Sequence, residues 1–115
     1  SAACMALVES KKVKGFLCAT SVTTIHYLVE KALTRKKARI TNAYVLEIFH
    51  TAPVDHAILL SAQDTGFADY EDAVIHEAAL SIRADALVTR NAKDFKSSRI
   101  PVLSPDELLA RISSR

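Results

Sequence analysis

Gly15-Phe16-Leu17-Cys18-Ala19-Thr20 is a short apolar run bounded by turn signals, and Val22, Ile25, Leu28, Val29, Ala32 and Leu33 follow it on one helical face. A run of that length suits a strand buried on both faces, as in a parallel sheet. The 3.6-residue spacing behind it predicts a helix, with Thr20 or Ser21 as its cap. A buried strand leading straight into an amphipathic helix points to an α/β architecture.

The same alternation extends in both directions. Towards the N-terminus, Ala3, Leu7 and Val8 give residues 1–10 a helical stripe, and Lys11, Lys12 and Lys14 make a basic turn. Towards the C-terminus, a helix is predicted from about Lys36 to His50, with Ala38, Val45, Leu46 and Phe49 on its buried side. Pro53 and Val54 mark a short extended piece. Further helices are expected over residues 57–62 and 71–83, the latter with Val74, Ile75, Ala78, Ala79 and Ile82 inward. Residues 84–89 and 100–103 read as short buried strands. Ser104-Pro105-Asp106-Glu107 opens the last helix: serine cap, proline in the first turn, glutamate closing a capping box. No Asn-Gly or Asp-Gly hairpin occurs, so the sheet is expected to be mostly parallel and covered on both sides.

Composition narrows the possibilities. The 115 residues are 50% hydrophobic and 24% charged, a globular balance and the size of one domain, 1–115. No apolar run reaches the roughly 18 residues of a membrane span. A net charge of +2 is too mild to indicate nucleic acid by itself. The only glycines are Gly15 and Gly66, which excludes both a Walker A loop and a G-x-G-x-x-G dinucleotide loop. Cys4 and Cys18 make neither a disulfide framework nor a zinc quartet, and they fit a reducing, cytoplasmic compartment. The chain opens in mid-helix at Ser1, with no cap or initiator methionine, so residues upstream of Ser1 are expected in the natural protein.

Ligands of open α/β sheets bind beyond the C-terminal ends of the strands. That singles out Thr20–Thr24, Thr89–Asp94 and the acidic stretch before the helix at Glu71. Asp69, Asp72 and His76 fall at i, i+3 and i+7 on one side of a helix start. Carboxylates in that pattern suit a hard cation such as magnesium or manganese; a helix N-terminus also attracts acids through its dipole alone. A zinc motif at His76-Glu77 fails, because the position that needs a second histidine is Leu80. Asn91 and Asp94 follow a strand that ends in Thr89, where ordinary turn chemistry also places such residues. Lys31, Arg35, Lys36, Lys37 and Arg39 form a basic run that suits phosphate contacts, or simply a solvated helical face. His26, His50 and His56 have no partner spacing and read as structural.

Gly15-Phe16-Leu17-Cys18-Ala19-Thr20, Asp69-Tyr70-Glu71-Asp72-Ala73, Leu87-Val88-Thr89-Arg90-Asn91-Ala92-Lys93-Asp94-Phe95 and the closing Ile100-Pro101-Val102-Leu103-Ser104-Pro105 together resemble the PIN-domain family, the nuclease fold of VapC-like bacterial toxins. The resemblance spans essentially the whole chain in the family's order. It implies a three-layer α/β/α sandwich with a mostly parallel central sheet. It also implies a metal-dependent endoribonuclease in which acidic residues hold one or two magnesium or manganese ions and hydrolysis uses activated water. By position, Asp72, Asp69 and Asp94 are the catalytic and metal-binding candidates. Asn91 would be a neutral ligand, and Thr24 and Thr89 would support the site. Arg35, Lys36, Lys37, Arg90 and Lys93 are the candidate RNA contacts.

Two departures stand out. The family's first strand, which ends in a metal-binding aspartate, has no counterpart here, so the domain is expected to be incomplete at its N-terminus. Thr24 stands where many members carry glutamate. Weak metal binding and weak or absent activity are therefore expected of this chain. The alternative is a catalytically eroded PIN-fold module that binds RNA or a protein partner; a small doubly wound regulator-type domain does not account for the T-R-N-x-x-D-F segment. An RNA substrate, an antitoxin-like protein and a second copy of the chain are the expected partners, with no membrane. Asp69, Asp72, Asn91 and Asp94 are expected to share one cleft.

Overall fold

The structure, a computed structural model, describes residues 2–114. Its elements run α1 (Ala2–Glu9), β1 (Phe16–Cys18), α2 (Ala19–Ala32), α3 (Arg35–Ile48), β2 (His50–Ala52), α4 (His56–Gln63), α5 (Tyr70–Ser81), β3 (Leu87–Val88), a turn of 3-10 helix (Ala92–Phe95), β4 (Val102–Leu103) and α6 (Pro105–Ser113). This is the expected α/β alternation. Both strand pairings are parallel: β1 with β2, Phe16 opposite His50 and Cys18 opposite Ala52, and β3 with β4, Leu87 opposite Val102.

The strands do not merge into one central sheet. They form two separate two-stranded pieces, β1-β2 and β3-β4. A cavity of about 590 Å³ lies between them, lined by Val8, Phe16, Phe49, Ile82, Val88 and Leu108 among others. β1 and β3 thus border a gap instead of pairing with each other.

Four helices start on the side chains their sequences offer. Thr34 Oγ1 accepts the Lys37 N–H at 3.1 Å, Asp55 Oδ1 accepts that of Ile58 at 3.0 Å, and Asp69 Oδ1 accepts that of Asp72 at 2.9 Å. The capping box of α6 is complete: Ser104 Oγ accepts from the Glu107 N–H at 3.1 Å, and Glu107 accepts from the Ser104 N–H at 2.8 Å. Those bonds hold the Glu107 carboxyl below its usual range. α2 departs from expectation. It begins at Ala19, and Cys18 occupies the cap position with no side-chain bond. The strand runs into the helix with no loop between, so Thr20 and Ser21 already lie inside it. Thr23 and Thr24 turn their hydroxyls back to the Thr20 carbonyl, at 2.9 and 3.1 Å.

The core consists of small residues that let the elements approach closely. Cys18, Ala52, Ala62, Ala73, Val74 and Ala78 are buried, with Val54, Ile58, Phe67, Ile75 and Ile82 packed against them. The inward face expected of α5 is therefore correct. The stripes of α2 and α3 are not fully covered: Leu28 is 56% exposed, Leu33 58% and Leu46 49%. These two helices pack on each other, and each leaves part of its apolar face outside that contact.

Gly15 marks the tightest approach. A Cβ there would stand 2.9 Å from the Phe49 ring and 2.9 Å from Val8 Cγ2. Gly15→Ala is expected to destabilise the fold by about 1–3 kcal/mol, as overpacking does, read as a lower denaturation midpoint in urea. An unchanged midpoint would show that α1 yields freely.

Candidate functional site

The site candidates gather where α5 begins. Asp69 caps this helix, and Glu71 and Asp72 occupy its first turn. Acids there meet the unpaired N–H groups and positive dipole end of the helix. Glu71 Oε2 accepts a hydrogen bond from Thr24 Oγ1 at 2.9 Å. That bond ties the start of α2, just past the C-terminal end of β1, to the start of α5. On the other side, Thr89 follows β3 and its Oγ1 accepts the Asn91 N–H at 3.0 Å. The Asp94 N–H donates to the Asn91 carbonyl at 2.9 Å, which winds the 3-10 turn and sets Asp94 at its exposed rim.

Electrostatics joins the two segments. Burial pushes the Asp72 carboxyl above its usual range, and the negative charges of Asp69, Asp94 and Glu71 push it further. Asp94 thus lies near enough to Asp72 to disfavour its ionisation, although 22 positions separate them in sequence. Of residues 91–94, Asp94 is the one whose charge reaches Asp72.

His76 holds this arrangement without joining it. Its ring is 2% exposed. Nδ1 lies 2.8 Å from Glu77 Oε2, and Nε2 accepts the Arg99 N–H at 3.0 Å. An acceptor at Nε2 and a carboxylate at Nδ1 define the neutral tautomer protonated on Nδ1. Phe67 packs between His76 and Phe95, with ring centroids 4.9 and 5.6 Å away. The segment carrying Asp94 is thereby clamped to α5. Sequence spacing placed His76 on the side of Asp69 and Asp72; its ring is committed inward instead. His50 packs on Phe16 at 5.2 Å, and His26 Nε2 lies 3.4 Å from Glu30, in keeping with structural roles.

The basic candidates divide. Arg90 and Lys93 flank Asn91 and Asp94 in the same loop. Arg35, Lys36 and Lys37 form the exposed first turn of α3, beyond the C-terminal end of α2, which itself rises about 12 Å from Thr24 to Ala32. Three cations at a helix N-terminus oppose the dipole, so they do nothing for the stability of α3.

The carboxylates here are hard oxygen donors of the kind magnesium and manganese prefer. Their spacing does not close a ligand sphere: among the described residues, no three His, Cys, Asp or Glu side chains stand close enough to hold one ion. Asp69 and Glu71 each already have an oxygen engaged, with the Asp72 N–H and the Thr24 hydroxyl. Glu71 escaped the sequence reading as a site residue, because its partner lies 47 positions away and no local pattern encodes that contact.

The PIN-domain family model matches residues 1–93. The chain belongs to the PIN-domain family. The match covers β1, α5 and β3 and ends one residue before Asp94. PIN domains are generally nucleases, and they are typically dependent on a divalent metal. No curated protein sequence matches the chain significantly. Among the described residues of this PIN domain, no helix is long and apolar enough to cross a membrane.

Asp69 has two separable roles, capping α5 and charging the cluster. Asp69→Asn keeps a good cap and removes the charge. It is expected to leave thermal stability nearly unchanged and to bring the Asp72 carboxyl back towards its usual range, as read by carboxyl NMR. Asp69→Ala is expected to lose about 1 kcal/mol through the missing cap. Equal stability of the two variants would count against the capping role.

Proposed function

We propose that this PIN domain is a metal-dependent endoribonuclease of the VapC-like type, with Asp72, Asp69 and Asp94 as its acidic centre. The observation that carries the reading is the acidic start of α5, where Asp69, Glu71 and Asp72 follow one another and where burial and the charges of Asp69, Asp94 and Glu71 raise the Asp72 carboxyl; a fold does not gain stability by crowding like charges. Such a cluster is relieved by a cation. The chemistry a bound magnesium or manganese supplies is activation of water and neutralisation of charge on a phosphodiester.

The chain's own residues have distinct tasks in this reading. Asp72 is the central charge. Thr24 orients Glu71, and Thr89 shapes the turn that presents Asn91 and Asp94. Arg90 and Lys93 favour an approaching phosphate backbone, with Arg35, Lys36 and Lys37 as a more distant basic patch. Hydrolysis in this reading uses activated water and passes through no covalent enzyme intermediate. A homodimer and a protein partner of the antitoxin kind belong to the same proposal. Their support is the apolar surface on α2 and α3, where Tyr27 is 60% and Ile40 62% exposed. A cytoplasmic location belongs to it too.

A second reading, an eroded PIN module that binds RNA or protein without cleaving, draws support from two neutral positions. Thr24 is engaged with Thr20 and Glu71, and Asn91 offers an amide. Cleavage of single-stranded RNA in manganese or magnesium, with an EDTA control, separates the two. Metal-dependent cleavage supports the nuclease. RNA binding with no cleavage in either metal supports the eroded module, and cleavage that survives EDTA overturns the metal-dependent mechanism.

A further inference from the structure

We propose that Tyr27 and Lys31 on α2 form a stacking and phosphate subsite for an unpaired nucleotide beside the acidic centre, so that the substrate is RNA with single-stranded bases. The inference takes its ligand from the nuclease reading and rests on it; its own evidence is the course of α2. This helix begins at the C-terminal end of β1 and meets α5 through the bond from Thr24 Oγ1 to Glu71 Oε2. At the helical period, Thr24, Tyr27, Leu28 and Lys31 fall within about 100° of arc. The side of α2 that touches the acidic centre at Thr24 therefore continues outward as Tyr27, Leu28 and Lys31. Tyr27 is 60% exposed and Leu28 56%, whereas Val22 and Val29 on the opposite side are half-buried. Along the helix, Tyr27 stands about 4.5 Å and Lys31 about 10 Å beyond Thr24.

The aromatic rings around the start of α5 are otherwise committed to the fold. Tyr70 donates its hydroxyl to the Leu59 carbonyl at 2.8 Å, and Phe67 packs between His76 and Phe95. Tyr27 is different: the group over its ring is Lys31, whose Nζ stands 5.7 Å from the centroid. An exposed ring beside an exposed cation contributes little to stability. It does present the two groups that a nucleotide takes, a flat face for the base and an ammonium for the phosphate.

Charge complementarity decides the occupant. The carboxylates at the start of α5 repel a phosphate backbone, so a strand held there draws its affinity from groups outside the acids. Arg90 and Lys93 supply cations beyond β3. On the side of α2 the cation is Lys31, and past the end of that helix Arg35, Lys36 and Lys37 continue the positive tract. A ring placed between a carboxylate cluster and a run of cations suits a polyanion that carries flat bases. Stacking on such a ring requires a base whose face is free. Duplex RNA keeps its base faces covered and is recognised by shape and backbone instead, so the ring selects unpaired nucleotides.

The test uses the full chain in EDTA, where binding is read without cleavage. The probes are fluorescein-labelled oligouridylate and the same strand annealed to oligoadenylate. Tyr27→Leu keeps an apolar side chain on the helix and should weaken binding of the single strand at least fivefold, while leaving the duplex within about twofold. Tyr27→Phe keeps the ring and should stay within about twofold of the parent. Lys31→Gln should weaken binding and lower the salt dependence by about one phosphate contact. If Tyr27→Leu fails to fold, the Tyr27 ring resonances of the unaltered chain decide, since stacking moves them upfield as oligouridylate is added. Undiminished binding by Tyr27→Leu overturns the proposal, as does an equal loss on the duplex, or ring resonances that do not move. A change in oligomeric state with RNA binding intact makes this face a protein contact and also overturns it. Cleavage assays in manganese keep the two readings apart. A parent that cleaves RNA while Tyr27→Leu binds it undiminished retains the nuclease and overturns the subsite. A parent that binds through Tyr27 and cleaves nothing supports the subsite and overturns the nuclease.

Discussion

His76→Ala is expected to lower the unfolding free energy by about 3–5 kcal/mol, a large part of the roughly 5–15 kcal/mol available to a domain. The loss has three sources. The Arg99 N–H loses its acceptor, and the Glu77 carboxylate loses the ring nitrogen at 2.8 Å. The vacated space lies against Phe67, whose ring centroid is 4.9 Å away, so packing between α5 and the 3-10 turn is lost as well. His76→Phe is the informative control, since it fills the space while removing both hydrogen bonds. It should recover part of the stability and none of the Arg99 anchoring. Urea melts measure the first effect, and amide exchange at Arg99 measures the second. A loss under 1 kcal/mol for His76→Ala would mean that the segment bearing Asp94 is held by something other than this ring.

That ring also shows where reading a sequence stops. The capping box at Ser104 and Glu107 was legible because every partner lies within four residues. The inward face of α5 was legible because Val74, Ala78 and Ala79 repeat at the helical period. The α/β class followed from short apolar runs between such helices, and the ordered motifs identified the PIN family. What stayed hidden was set by tertiary placement. His76 reaches Arg99 across 23 positions, and Thr24 reaches Glu71 across 47; neither spacing repeats anything local. Thr20 looked like a cap because its residue type favours one, yet the strand passes into α2 without a loop and moves the cap to Cys18. The stripe of α2 was legible as one apolar face, but periodicity reports which side is apolar and not how much of it a neighbour covers; Leu28 and Leu33 stay outside. The division of the strands into two pairs accords with the missing counterpart of the family's first strand, although each strand's own sequence suits a fully paired sheet. Of the site, the acids were legible as residue types at strand ends. Their mutual charge at Asp72 required the fold that brings Asp94 back to α5.

Asp72→Asn is expected to reduce metal-dependent RNA cleavage by at least a hundredfold, on the order of the losses seen when groups around a metal site are removed, while making the fold slightly more stable at neutral pH. The two effects have one cause. Burial and the charges of Asp69, Asp94 and Glu71 raise the Asp72 carboxyl above its unfolded value. The native state therefore holds this proton more tightly than the unfolded chain does. Between the unfolded value and the raised native one, stability falls as pH rises, and above both the repulsion persists in full. An amide at residue 72 does not ionise, so the variant escapes that loss. Its gain, about 1–2 °C in melting temperature for a partly screened site, should be present at pH 7 and vanish in acid below the carboxylate range. A cation that neutralises the cluster should shrink the same difference, because it relieves the repulsion in the parent chain and finds one ligand fewer in the variant. Melting curves at pH 3 and pH 7, with and without magnesium, read this apart from any activity. A variant that gains stability but cleaves RNA as fast as the parent would separate the charge cluster from catalysis. A variant less stable at pH 7 would remove the repulsion on which the site assignment rests.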